Sequence, residues 1–136
     1  MRNILVDTGP LVALLLNRDP NHRETALWIT NNVYRLTTTW PVITETCHFL
    51  ELHGKLALFK MIERGALIVA EIRTADETTF ASLMSTYSDR EVDLADTSLV
   101  LLAERSGILD IITFDRADFS TFRLSRNRAF NIVFPK

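Results

Sequence analysis

Short β-branched runs alternate with helix-start signals along the whole chain, and that alternation admits few folds. Ile4, Leu5 and Val6 read as an interior strand. Pro10 then stands where a first-turn proline is tolerated, and residues 11–16 continue as an apolar helix. Asn21 with Glu24 three residues on is the pattern of a capping box and predicts a second helix. Residues 33–39, VYRLTTT, predict a strand. Pro41 opens a helix carrying Val42, Ile43, Cys47 and Leu50 at helical spacing, with Gly54 as its expected end. A further helix over about 55–64 is expected to stop at Gly65. Residues 66–72 predict a strand, and Thr74 with Glu77 repeats the capping-box pattern before a helix reaching about Tyr87. The segment 93–107 is the clearest helix: Asp93 caps it, Leu94, Ser98, Leu101 and Leu102 share a face, and Gly107 closes it. Strands follow at 109–115 and 131–134. Strands alternating with helices imply a parallel sheet covered on both faces, in one domain spanning residues 1–136.

That arrangement gives the acids a common address. Asp7 and Asp115 lie just past strand ends, while Glu45 and Asp96 lie near helix starts. In a parallel α/β sheet those places share one rim, where ligands bind. Each acid alone reads equally as a turn former, a cap or a partner for a helix dipole. Four carboxylates in one cleft repel one another, so some must be protonated unless a cation is present. Hard oxygen donors of this kind suit Mg²⁺ or Mn²⁺. Cations held by carboxylates polarise phosphates and support in-line attack by water, so the set points to phosphodiester hydrolysis.

Other chemistries lack their residues. No G-x-x-x-x-G-K-[ST] loop, G-x-G-x-x-G fingerprint or G-x-S-x-G elbow is present. His22, His48 and His53 have no paired metal spacing and read as surface or structural groups. A phosphatase of the haloacid-dehalogenase type needs a second aspartate where Gly9 stands, and a response-regulator receiver needs a lysine that TFDRADF lacks. A net charge of −2 does not advertise a nucleic-acid binder, although bound cations would add local positive charge. The single cysteine, Cys47, excludes an internal disulfide and fits a reducing compartment. With no secretory pattern and no apolar run near the roughly 20 residues needed to span a bilayer, a cytoplasmic protein without a membrane partner is expected.

The stretches ILVDTGPLVALL, ITE at 43–45, VDLADTSLVLLAER at 92–105 and IITFDRADF at 111–119 resemble the PIN-domain ribonucleases. More narrowly, they resemble VapC-type toxins of toxin–antitoxin pairs. The resemblance implies a three-layer α/β/α sandwich with a central, mostly parallel sheet. It also implies an acidic pocket for Mg²⁺ or Mn²⁺, RNA as substrate, a homodimer, and an antitoxin whose tail blocks the pocket. Position by position, Asp7, Glu45, Asp96 and Asp115 match the four acids of that pocket, as catalytic residues and metal ligands. Asp118 stands near enough to substitute for Asp115 or to support it, and Asp93 is preferred as a cap. Thr8 and Thr113 are placed to orient Asp7 or a water, or to cap the backbone. Arg116 and Arg123 are candidates for contacts to RNA phosphates, with pairing to nearby acids as the plainer alternative. Trp28 and Trp40 read as core rather than base-stacking platforms, and so do the phenylalanines at 114, 119, 122, 130 and 134, any exposed members of which would mark a subunit interface. A rival from another class is a non-catalytic RNA- or protein-binding module, which an incomplete acidic set would favour.

Overall fold

The computed structural model describes residues 1–73 and 77–136. Five strands form one sheet: β1 (Arg2–Val6), β2 (Tyr34–Thr39), β3 (Leu67–Ala70), β4 (Asp110–Ile112) and β5 (Asn131–Phe134). Their spatial order is β3-β2-β1-β4-β5, and every pairing is parallel. Parallel neighbours require crossovers, which the helices supply. These are α1 (Thr8–Leu15), α2 (His22–Asn31), α3 (Trp40–Phe49), α4 (Leu52–Glu63), α5 (Glu77–Thr86), α6 (Leu94–Ser106) and α7 (Arg116–Phe119). The helices flank the sheet in the expected three layers.

The sheet centre is fully buried, with Ile4, Leu5, Val6, Ile111 and Ile112 packed against Leu11, Val42, Leu58 and Leu99. From β1 the chain winds outward through β2 to β3, then crosses back to β4 on the other side of β1. The winding direction therefore reverses between β1 and β4. Such a switch point leaves a crevice beyond the carboxyl ends of the two strands. β4 is shorter than expected: β1 ends at Val6, opposite Ile112, and past that point only the Thr113 N–H, on the Phe134 carbonyl at 3.1 Å, still ties the segment to the sheet. Phe114 then bends the chain away from the sheet toward α7.

Several helix ends depart from the expected pattern for identifiable reasons. Gly54 does not end α3, which stops at Phe49; it sits inside α4. A Cβ there would meet Leu50 at 3.3 Å and the Leu15 carbonyl at 3.6 Å, so its role is a close approach between segments. Asn21 takes the position before α2 but makes no side-chain cap. Its backbone, at ψ 5°, lacks the extended geometry that turns a capping side chain inward. Asp19 instead accepts from the Asn21 N–H at 2.8 Å. Gly107 does close α6, at φ +76°. The cap expected at Thr74 lies outside the described residues.

Helix α6 carries a wider buried face than its spacing suggests. Ala95, Thr97, Ser98, Leu99, Val100, Leu101 and Ala103 are all buried, because α3, α5 and β2 surround it. Leu94, expected on the inner face, is 47% exposed. Trp28 packs on the core, stacked on Tyr34 at 5.4 Å and against Phe134 at 5.2 Å. Trp40 does not, and is 45% exposed. Phe119, Phe122, Phe130 and Phe134 are core, and Phe114 packs against it. No helix among the described residues is long and apolar enough to cross a membrane.

Candidate active site

Asp7 leaves the sheet at the switch point. Its N–H still bonds the Ile112 carbonyl at 3.1 Å, which keeps it in register with β4. Its side chain then caps α1: Oδ1 accepts from the Thr8 N–H at 2.8 Å. The other oxygen, Oδ2, accepts from the Thr113 hydroxyl at 2.7 Å. Thr113 in turn accepts from the Asp115 N–H at 3.0 Å, and Asp115 Oδ1 accepts from the Asp118 N–H at 3.0 Å. One chain of hydrogen bonds thus runs from β1 through the β4 turn into α7.

Two further helices bring acids to the same place. Asp93 and Asp96 form a reciprocal capping box at the start of α6, with the Asp96 N–H donating to Asp93 at 2.8 Å. Glu45 projects from α3, which begins where β2 ends. Asp7, Thr8, Glu45, Asp96, Asp115 and Asp118 all line one cavity of about 690 Å³. Thr113 holds Asp7 at the cavity wall. Asp19, Glu91 and Asp93 complete the wall with apolar Val12, Phe49 and Phe114. Carboxylate oxygens of Asp96, Asp115 and Asp118 come within 4.8 Å of one another.

The electrostatics follow from that crowding. Asp7 is only 7% exposed, and burial pushes its carboxyl up, against the lowering effect of Thr113 and Thr8. Burial and the neighbouring charge of Asp93 push Asp96 up to about 8. Glu45 is raised by burial and by Asp93, while Thr8 opposes the shift. Asp115 is raised by burial, with the Asp118 N–H and the Arg90 charge acting the other way. Every shifted carboxyl here moves in the direction that an added cation would reverse. Thr8 Oγ1 is buried at the wall, on the side of Glu45. The donor set is entirely hard oxygen, and it fits Mg²⁺ or Mn²⁺.

Arg116 and Arg123 do not line the cavity. Arg116 donates to the Pro135 carbonyl, and Arg123 to the Ser120 and Phe122 carbonyls at 2.8 Å. Asp19 and Glu91 were missed in the sequence because neither sits at a strand end or a helix start. The role of Asp93 was half visible: it caps α6 and also faces the cavity.

Residues 4–123 match the PIN domain family. The chain is 25% identical over 134 residues to Ribonuclease VapC26 of Mycobacterium tuberculosis, covering 96% of this chain and 99% of that protein. The crystal structure of M. tuberculosis VapC20, a sarcin-ricin loop cleaving toxin, superposes with a TM-score of 0.75 at 19% identity. That likeness covers 83% of this chain and 90% of VapC20, and it supports the fold. With the family's match spanning most of the chain, this protein belongs to the PIN domain family.

Proposed function

We propose that this protein is a divalent-cation-dependent ribonuclease and the toxin of a toxin–antitoxin pair. The observation that carries the reading is the meeting of Asp7, Glu45, Asp96 and Asp115 in one cavity at the sheet's switch point. Ribonuclease VapC26, similar over almost the full length of both chains, supports RNA as the substrate.

Asp7, Glu45, Asp96 and Asp115 would hold Mg²⁺ or Mn²⁺, with Asp118 beside them. A cation held by these residues would supply Lewis acidity toward a phosphate oxygen and a water. Thr113 and the Thr8 N–H fix both oxygens of Asp7, so its carboxylate presents a set direction without reorganising. Of the other cavity carboxylates, Asp93 and Asp118 stand among the proposed ligands and would be placed to take the proton released by the attacking water. Val12, Phe49 and Phe114 limit water on the apolar side of the cavity. In this reading Arg116 and Arg123, both exposed, contact RNA outside the cavity. The completeness of the acidic set weighs against a non-catalytic module.

The same reading includes a homodimer and an antitoxin. Phe49 lines the acidic cavity and is also exposed alongside Trp40, Leu52, Leu56 and Phe59 of α3 and α4. An antitoxin segment laying apolar side chains on that face and an arginine into the cavity matches both surfaces.

The test is cleavage of RNA with Mg²⁺ or Mn²⁺, with and without chelator. Cleavage that needs the cation is expected. Cleavage that survives chelation, or no cleavage together with no metal binding, overturns the reading. Thr113→Val checks the support of Asp7. Valine keeps the shape but loses the bonds to Asp7 and Asp115. Mn²⁺ affinity measured by calorimetry is expected to fall about tenfold to a hundredfold, with the fold intact. An unchanged affinity would remove Thr113 from the machinery.

A further inference from the structure

RNA brings a negative charge with every nucleotide, and the cavity meets it with eight acids and no lysine, arginine or histidine among its lining residues. A cation in the ligand set offsets part of that charge. The strand still needs a positive contact close to the cleaved bond, where Arg116 and Arg123 are not.

Arg90 does not line the cavity either, but its guanidinium reaches a residue that does. It lies in the loop between α5 and α6, next to Glu91 of the cavity wall. The loop is pinned by the Arg90 N–H on the Tyr87 carbonyl and the Val92 N–H on the Arg90 carbonyl, both at 3.0 Å. Tyr87 is itself anchored, packing edge-on against buried Phe122 and accepting from the Arg123 N–H. The Arg90 guanidinium reaches Asp118 Oδ1, which lines the cavity and neighbours Asp96 and Asp115. That is its only hydrogen bond among the described residues. A guanidinium carries five N–H donors in a planar fork. The side chain is 31% exposed, so solvent reaches part of it. The Arg90 charge also eases the crowding at Asp115, yet the contact with Asp118 uses only part of the fork.

We infer that Arg90 is a substrate-binding residue: with one edge of its guanidinium on Asp118, its other donors take an oxygen of an RNA phosphate beside the scissile bond. The inference rests on the ribonuclease reading. Asp118 aims the fork, and the phosphate so held places the neighbouring phosphodiester over Asp96 and Asp115. Arginine suits this better than lysine because the planar fork serves two acceptors at once.

The test uses the full chain with Mg²⁺ and a short fluorescein-labelled single-stranded RNA of mixed sequence, cleaved at several salt concentrations. Arg90→Gln is expected to raise KM about tenfold with kcat within a few fold. The dependence of log kcat/KM on log salt is expected to become shallower by about 0.7, the share of one phosphate contact on a single strand. Arg90→Lys should recover the salt slope and part of the affinity. RNA binding followed by anisotropy in an Asp7→Asn background should lose the same share of slope without turnover. If the unmodified chain cleaves RNA but Arg90→Gln keeps its KM and slope, the inference falls and the ribonuclease reading stands. If Arg90→Gln lowers kcat alone, Arg90 acts only by holding Asp118, and the phosphate contact is refuted. If the unmodified chain cleaves no RNA, both readings fail together.

Discussion

Asp7→Asn is expected to cut cation-dependent RNA cleavage about a thousandfold while making the metal-free protein more stable. Both effects come from one position. Asp7 is buried just past the end of the central strand β1, and its charge is opposed by lost hydration and by Asp115 and Asp93. Asparagine retains an acceptor for the Thr8 N–H, and its amide can donate to the Thr113 hydroxyl in place of the bond Asp7 accepts. The geometry survives and the buried charge is gone. Removing it should stabilise the chelator-treated protein by about 1–2 kcal/mol, read from urea unfolding. A variant that retained full cleavage would end the proposed role of Asp7. One that lost cleavage and also lost stability without metal would mean the carboxylate is a structural cap, not a costly functional charge.

The second large effect is on pH dependence. Without divalent cations, the melting temperature is expected to fall as pH rises from about 4 to about 8. In that window folded Asp96 keeps a proton that the unfolded chain, with an ordinary carboxyl at 3.8, has released. The folded state binds more protons, so raising pH favours unfolding. Asp7, Glu45 and Asp115 are shifted the same way and add to the slope. Glu104 is shifted downward by Ser125 and Arg128, so its contribution is lost only as pH falls below the ordinary carboxylate range. Mg²⁺ at saturating concentration should flatten the profile, because cation binding favours the ionised forms. Thermal melts across this range, with chelator and with Mg²⁺, decide it. A metal-free profile that is flat or rises with pH would mean that the acids are not crowded as described.

The alternation of strands and helices is legible along the chain because it depends on neighbours in sequence. Runs such as ILV and NIVF, the Asp93 cap and Gly107 all act within one or two turns. The position of Asp7, Glu45, Asp96 and Asp115 was also legible, since parallel connectivity sends every strand end and following helix start to one rim. Departures arise where a distant segment decides. Gly54 looks like a helix stop until Leu15 and Leu50 close on it. Trp40 has the composition of a core residue but faces outward from α3.

The sequence by itself therefore determined the layered α/β architecture and that Asp7, Glu45, Asp96 and Asp115 meet at one rim of the sheet, because periodicity, capping and parallel connectivity are local rules. Only the tertiary structure decided that Asp93, Asp118 and Glu91 share the cavity, that Thr113 links Asp7 to Asp115, and that Arg90 reaches Asp118 from another loop. Those relations join residues far apart in the chain. Charge crowding and hydrogen bonding depend on distance in space, which no spacing along the sequence encodes.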